Sequence, residues 1–202
     1  MSRVLKFLIA SDILIWSGVS FVTPIIAIFI KEQLVGGSIF AVGLATAMAY
    51  LVRAAILVPV GNFNDRDRGN RREFITLVLG ILIMSLTPLS YIFINRVEYF
   101  FLAQIIYGVG LALYTPGWLT VWTRFLDGFH EGRSWSIYAS FLSAAIGLSA
   151  LAGGYFADLV GFKVVFILVA VFGVASVIFI SLVKKEIYAW PKSKSGGNRA
   201  RV

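Results

Sequence analysis

The sequence predicts an all-α membrane protein whose six transmembrane helices form two inverted repeats of three helices. Three observations lead to this fold class: long apolar stretches, an asymmetric placement of basic residues and an internal repeat. A helix that crosses the hydrocarbon layer needs about 20 predominantly apolar residues. Stretches of that length lie at about 7–30, 39–60, 74–94, 98–123, 134–158 and 161–183. Residues 1–185 are therefore expected to form one six-helix transmembrane domain.

The composition agrees with a chain that folds in lipid. Hydrophobic residues make up 59% of the chain, against about 45–50% in soluble domains. The net charge of +8 comes from basic residues beside helix ends, where they attract anionic lipid headgroups, so nucleic acid is not an expected partner. The chain has no Cys, which excludes disulfides and thiol nucleophiles, and no metal or cofactor is expected. Segment 186–202 is polar and basic, which predicts a cytoplasmic tail without fixed structure.

The basic residues fall mainly on one side of the predicted membrane. Of the 18 Lys and Arg residues, 14 lie on the side that holds both chain ends, and only Lys31, Arg96 and Lys163 lie on the other. The remaining one, Arg53, lies inside the second span. Because cytoplasmic loops carry the excess of Lys and Arg, both termini are predicted to be cytoplasmic, in a multi-pass protein of the cell (inner or plasma) membrane.

Two short patterns recur along the chain at nearly the same offset. Gly-x-Phe-x-Asp occurs at 61–65 and 154–158, 93 residues apart, and Thr-Pro occurs at 23–24 and 115–116, 92 residues apart. An offset of three helices places the two copies on opposite sides of the membrane. This predicts two three-helix units in inverted topology, an arrangement typical of secondary transporters. Coincidence is the alternative, since Gly and Pro are common in membrane helices.

The loop between the second and third spans resembles a known family signature. That signature, of the major facilitator superfamily, is Gly-x-x-x-Asp-Arg/Lys-x-Gly-Arg/Lys-Arg/Lys, and the loop departs from it by one or two extra residues after the Asp-Arg pair. The resemblance implies a conformational latch. Its residues are Gly61, Asp65, Arg66, Gly69, Arg71 and Arg72. Glycine suits tight turns, and a carboxylate is favoured near a helix N-terminus. A basic loop that only sets topology is the alternative.

Other stretches resemble the same family with informative departures. Residues 104–110 resemble its fourth helix, but Gln104 stands where the family pattern has an Arg, so the proton-coupling role of that Arg is not carried over. Residues 149–154 resemble the end of its fifth helix without the Gly-Pro pair associated with antiporters. The resemblance covers about residues 5–185, equivalent to one six-helix half of a major facilitator transporter.

The resemblance therefore implies a half-size member of the family. In full-length members two halves enclose the substrate site, and a parallel two-fold homodimer would recreate the missing half. Closed two-fold dimers are the commonest assembly. By the same resemblance, Asp65 of one protomer should approach Arg133 and Ser134 of its partner.

Two ionisable residues are predicted at membrane depth, Asp12 in the first span and Arg53 in the second. Such residues are functional candidates because each costs roughly 2.5–3.5 kcal/mol at a helix centre. The apolar stretches place both about 8–10 Å from the cytoplasmic side, so we expect an intramembrane ion pair. The pair can act as a gate, a proton site or an anchor for a polar substrate. Alternatively it is a static clamp in which Arg53 snorkels toward the interface.

Two further groups of residues are candidates for packing or for the cavity. Small residues recur every four positions in the fifth span, at Ala145, Ser149, Gly153 and Ala157, and this pattern favours close helix packing over substrate contact. In the family the first and fourth helices line the cavity. The cavity candidates on those spans are Trp16, Gln104, Tyr107 and Trp118. For the aromatic residues, a packing or interfacial role is the alternative.

These observations predict secondary-active transport of a small solute by alternating access, through a parallel homodimer in the lipid bilayer. The alternative is a membrane-embedded binding or partner subunit that needs a second, different protein, such as another six-helix half. An enzyme is not expected. An intramembrane serine protease needs a Ser and a His within the bilayer, and the only His, His130, lies in a loop.

Overall fold

The computed structural model describes residues 2–66, 71–126 and 130–189. Gly69 of the predicted latch and residues 190–202 of the predicted tail lie outside the described residues. Eight helices follow one another along the described chain. They are α1 (Arg3–Val22), α2 (Ile26–Gln33), α3 (Ile39–Asp65), α4 (Arg71–Tyr91), α5 (Val97–Phe125), α6 (Glu131–Val160), α7 (Phe162–Ser181) and α8 (Lys184–Ala189).

Six spans in the described chain are long and apolar enough to cross a membrane, which confirms the predicted all-α membrane fold. The first span consists of α1 and α2 together, and α3 to α7 form the other five. We call the side that holds Arg3 and Ser181 the terminal side, and the opposite side the far side. Most helices extend beyond the apolar stretches in the sequence; α3, for example, continues to Asp65. The exceptions are the far-side end of α4, at Tyr91, because residues 92–94 already form turns, and α7, which is slightly shorter at both ends than the stretch 161–183.

Pro24 interrupts the first span between α1 and α2. Proline has no backbone N–H and cannot continue the helical hydrogen-bond ladder. The Thr23 hydroxyl donates to the Val19 carbonyl at 3.0 Å, and the Ile25 N–H bonds the Val22 carbonyl at 3.1 Å. By contrast, Pro116 lies inside the continuous helix α5. The span is therefore helical on both sides of a local break.

The bundle is organised around two central helices, α1 and α5. Helix α5 packs against α3 and α4, α1 packs against α6 and α7, and α4 packs against α7. Buried apolar side chains form one cluster on the terminal side, including Leu77 and Trp122, and another on the far side, including Phe29 and Phe166. Since lipid is as apolar as these side chains, close packing and interhelical hydrogen bonds hold such bundles together. One such bond runs from the Ser176 hydroxyl of α7 to a carbonyl of α1 at 2.7 Å.

Helices α3 and α6 are the least covered spans of the bundle. Only 17% of the most apolar 18 residues in each are buried inside the protein, against 39–56% in the other four spans. Every other span contacts its neighbours along much more of its surface. Helices α3 and α6 therefore have the largest uncovered surfaces among the described spans.

The beginning of the predicted tail is helical, which corrects part of the predicted segment 186–202. Residues 186–189 belong to α8, and Ile187 is only 1% exposed. Its burial in the terminal-side cluster holds the short helix against the bundle. Arg3 and Glu186 add an exposed ion pair at 3.1 Å.

Candidate functional site

A cavity of about 200 Å³ lies in the far-side half of the bundle, between α1, α2, α3, α4 and α5. It is smaller than the roughly 300–1,000 Å³ typical of drug-sized ligand sites, so this cavity accommodates only a small solute. Most of its lining is apolar. Its polar lining consists of Thr23, Thr46, Tyr50, Tyr91, Gln104 and Tyr107.

Of the four predicted cavity residues, the structure places two in this lining. Gln104 and Tyr107 both line the cavity, and the Gln104 side-chain amide donates to the Tyr91 hydroxyl at 2.9 Å. Trp16 and Trp118 lie elsewhere. The Trp16 indole donates to the Tyr114 hydroxyl at 3.4 Å, and Trp118 is buried in the terminal-side cluster.

Asp12 is buried at the meeting point of three helices. Its side chain on α1 is 1% exposed, and it accepts hydrogen bonds from Tyr114 of α5 and from Tyr138 of α6, the latter at 2.5 Å. The helix bounds place it nine residues from Arg3, or about 14 Å along the axis. Because buried polar groups in lipid must find partners, this cluster fixes α5 and α6 against α1.

Arg53 lies well inside α3, which continues for 12 residues beyond it to Asp65. At 1.5 Å per residue it lies about 18 Å from the terminal-side end of the helix. Its Nη2 donates to the Thr115 hydroxyl of α5 at 3.3 Å. Its guanidinium carbon lies 5.9 Å from the centre of the Tyr50 ring, on the same helix.

The predicted ion pair between Asp12 and Arg53 is wrong. The structure describes both residues and shows no ion pair between them. Helix α1 packs against α6 and α7, whereas α3 packs against α5. The two charges are bound by consecutive residues of α5, Asp12 by Tyr114 and Arg53 by Thr115. Consecutive helical residues point in different directions, so α5 keeps the charges apart.

The described latch residues lie around the junction of α3 and α4. Gly61 is in the last turns of α3, and Asp65 and Arg66 are exposed at its end. The Arg72 side chain donates to the Phe63 carbonyl at 3.1 Å and lies over the Phe63 ring. Arg71 lies 5.8 Å from the ring centre of Tyr188 in α8.

The small-residue stripe of α6 lies partly against α1. Ser149 and Gly153 are buried, and a Cβ on Gly153 would overlap the Phe21 backbone of α1. Ala145 and Ala157 are partly covered. The stripe thus lets α1 and α6 approach closely.

Four polar contacts that organise the terminal-side half were not predicted from the sequence. Tyr114 and Tyr138 were not recognised as partners of Asp12. Glu73 of α4 is fully buried and forms a 3.1 Å ion pair with Arg124 of α5. Asn64, 1% exposed, is bonded to Thr76 at 3.1 Å. The sequence did contain a signal for the Glu73 pair. Glu73 lies in the first turn of α4 and Arg124 in the last turn of α5, so both residues lie on the terminal side of consecutive spans.

The fold and this site together define a multi-pass membrane transport protein. The family model of the Major Facilitator Superfamily matches residues 8–202, so the chain belongs to that superfamily. A comparison with curated proteins finds no match.

Proposed function

We propose that this chain moves a small solute across the membrane by alternating access, as a parallel homodimer whose two copies enclose a central cavity. The observation that carries the proposal is the uneven coverage of the bundle. Helices α3 and α6 are far less buried than the other spans, and the cavity lies against α3. In this proposal α3 and α6 lie on one open side of the protomer, and a second copy placed there would cover both helices and enlarge the cavity.

The glycines of the bundle support docking on the same side. In α3, Gly43 and Gly61 have open space where a Cβ would stand, and so do Gly132, Gly147 and Gly154 of α6. Every described glycine of α1, α4, α5 and α7 instead meets a neighbouring helix. Since glycine allows close approach of membrane helices, the unfilled positions fit a partner helix.

Charges on the terminal side support the pairing of Asp65 with Arg133 and Ser134 of the partner. Asp65 and Arg133 are both exposed, and within the part of the chain that the structure describes their side chains make no hydrogen bond or ion pair. A parallel two-fold dimer would form this pair twice, with Asp65 of each protomer beside Arg133 of the other, because residue pairs repeat across an isologous interface. These contacts would hold the terminal side closed and thus act as the latch.

The inverted repeat of three helices is part of the proposal, and the packing supports it. In such a repeat the first span, which contains α1, corresponds to α5, α3 corresponds to α6, and α4 corresponds to α7. The packing of α1 against α7 then corresponds to the packing of α5 against α4, and that of α1 against α6 corresponds to that of α5 against α3. All four contacts are observed. The Thr23 and Thr115 hydroxyls each donate to the carbonyl four residues earlier, so the recurring Thr-Pro sites share a local hydrogen bond.

For the topology, we propose that the terminal side is cytoplasmic and that the membrane is the cell membrane. Fourteen basic residues of the sequence lie on this side, and cytoplasmic loops carry such an excess.

A partner subunit is the second candidate function, because the open side formed by α3 and α6 also fits a different six-helix protein. In that case the chain alone would stay monomeric in bilayers, and a stoichiometric partner would purify with it.

Distances between protomers test alternating access without a known solute. The chain has no native Cys, so a single spin label per protomer, at Lys31→Cys on the far side or Lys185→Cys on the terminal side, reports one distance across the dimer. Asp65→Asn removes the latch charge but keeps the shape. We expect it to lengthen the terminal-side distance and shorten the far-side distance in nanodiscs.

The matched control is Asp158→Asn, which changes the exposed acid of the second Gly-x-Phe-x-Asp copy and should move neither distance. Two distances that stay unchanged in Asp65→Asn would contradict the latch. The absence of any dipolar signal at both positions would contradict the homodimer and favour the partner subunit.

A further inference from the structure

Arg53 carries its charge inside the membrane-spanning part of α3. It lies 14 residues from Ile39 and 12 residues from Asp65 on the same helix, or about 21 Å and 18 Å from the two helix ends. The helix is thus longer than the hydrocarbon core, which is about 30 Å thick. The apolar stretch that contains Arg53 ends at about residue 60, so the Arg53 backbone lies about 10 Å inside the terminal-side boundary of the core. A charge at this depth is costly unless it is paired.

The described residues of the protomer do not neutralise this charge. The Thr115 hydroxyl is its one side-chain hydrogen-bond partner there, Nε is buried without a hydrogen bond, and no carboxylate forms an ion pair with it. Asp12 is occupied by two tyrosine hydroxyls. A guanidinium stays charged and offers five N–H donors, and burying a charge without a partner is costly. Arg53 thus has donors and charge available for an anion.

The cavity begins one helical turn from Arg53. Tyr50, whose ring lies beside the guanidinium, is the lining residue of α3 nearest the terminal side. The rest of the lining is neutral: it combines hydroxyl and amide groups with apolar side chains such as Ile26, Val42 and Phe100. No acidic residue is among the described residues that line the cavity, so an anion that extends from the cavity past Tyr50 to Arg53 meets no negative charge in the lining.

We propose that the solute is a small organic monoanion, a carboxylate with an apolar body, that binds with its carboxylate on Arg53 and its body in the cavity. This inference rests on the proposed transport function and names its substrate class. A carboxylate fits the fork of a guanidinium with two hydrogen bonds. In the dimer the cavity of each protomer, beside its own Arg53, holds one carboxylate. The apolar lining accommodates the remainder of the molecule.

Equilibrium binding tests the proposal without requiring transport. The probes are hexanoate and benzoate, each compared with its neutral amide, hexanamide or benzamide, on the full chain in phosphatidylcholine nanodiscs. The readout is the shift in thermal unfolding together with the fluorescence of the native tryptophans. We expect at least one acid to bind at least tenfold more tightly than its amide. We expect Arg53→Gln to weaken that binding at least tenfold.

Two further variants keep the test interpretable. Arg53→Lys retains the charge without the planar fork and should retain part of the preference for the acid, which also covers the case that Arg53→Gln fails to fold. Asp158→Asn, an exposed change on the far side, should bind like the native chain. Equal binding of acid and amide, or an acid preference that survives Arg53→Gln, would overturn the proposal. So would stabilisation dependent on Arg53 that appears only when phosphatidylglycerol is added, because the anion would then be a lipid headgroup.

Transport is measured separately, as uptake of radiolabelled hexanoate or benzoate into proteoliposomes. If the acid binds in a manner that depends on Arg53 but is not taken up, the proposed anion site stands and the proposed transport function is contradicted. If the spin labels show two states but the protein does not prefer the acid over its amide, the proposal of alternating access stands and the proposal of an anionic solute fails.

Discussion

Replacing Gly153 with Leu is expected to destabilise the protomer by about 3 kcal/mol or more. A Cβ at this position already overlaps the Phe21 backbone of α1, and backbone cannot move aside as a side-chain end can. Overpacking a dense interface typically costs 1–3 kcal/mol, and occasionally more. The measurement is the free energy of unfolding in mixed micelles, followed by circular dichroism.

The neighbouring Gly154→Leu is the matched control. Gly154 has open space where a Cβ would stand, so the same substitution one residue later should change the free energy of unfolding of the protomer by less than about 0.5 kcal/mol. Equal destabilisation by the two changes would contradict the close packing of α1 against α6. In the proposed dimer Gly154→Leu should instead weaken association, which fluorescence energy transfer between labelled copies can measure.

The second large effect is expected from Asp12→Ala. This change removes the acceptor of the Tyr114 and Tyr138 hydroxyls. Each buried hydroxyl left without a partner costs about 1–3 kcal/mol, so for the two hydroxyls we expect a loss of about 2–6 kcal/mol in the same unfolding experiment. The contacts of α1 with α5 and α6 should loosen together, because Asp12 bonds both helices.

Asp12→Asn separates the hydrogen bonds from the charge. The amide keeps one oxygen of the carboxylate, so we expect about half the destabilisation of Asp12→Ala. Tyr138→Phe removes one of the two donors and should cost a similar amount. If Asp12→Ala were as stable as the native chain, Asp12 would not organise these three helices.

The six spans were predictable because the requirement for about 20 apolar residues is set by the bilayer and acts on each segment separately. Helix ends were less predictable. Charged residues such as Asp65 and Glu131 lie on helices that continue beyond the apolar stretches, and hydropathy does not register those turns. The fold of segment 186–189 depended on the burial of one side chain, Ile187.

The candidate site was only partly predictable, because it depends on which helices are neighbours. Gln104 and Tyr107 were predicted because, in the family that the sequence resembles, the fourth helix lines the cavity, and the structure places both in the cavity lining. The pairing of Asp12 with Arg53 assumed that consecutive spans are adjacent at that depth. The bundle instead places α5 between the two charges. Neighbour relations of this kind are set by packing of the whole bundle, and a single sequence does not contain them explicitly.

The measurement that tests the central claim most directly is a disulfide between two copies of the chain. Asp65→Cys and Ser134→Cys, on separately tagged copies without other thiols, are reconstituted together in lipid and oxidised. The control pair is Lys31→Cys with Lys163→Cys, on exposed far-side positions. We expect a specific cross-link between protomers in the first pair and none in the control. A protein that remains monomeric in the same bilayers, with no cross-link between residues 65 and 134, would contradict the homodimer.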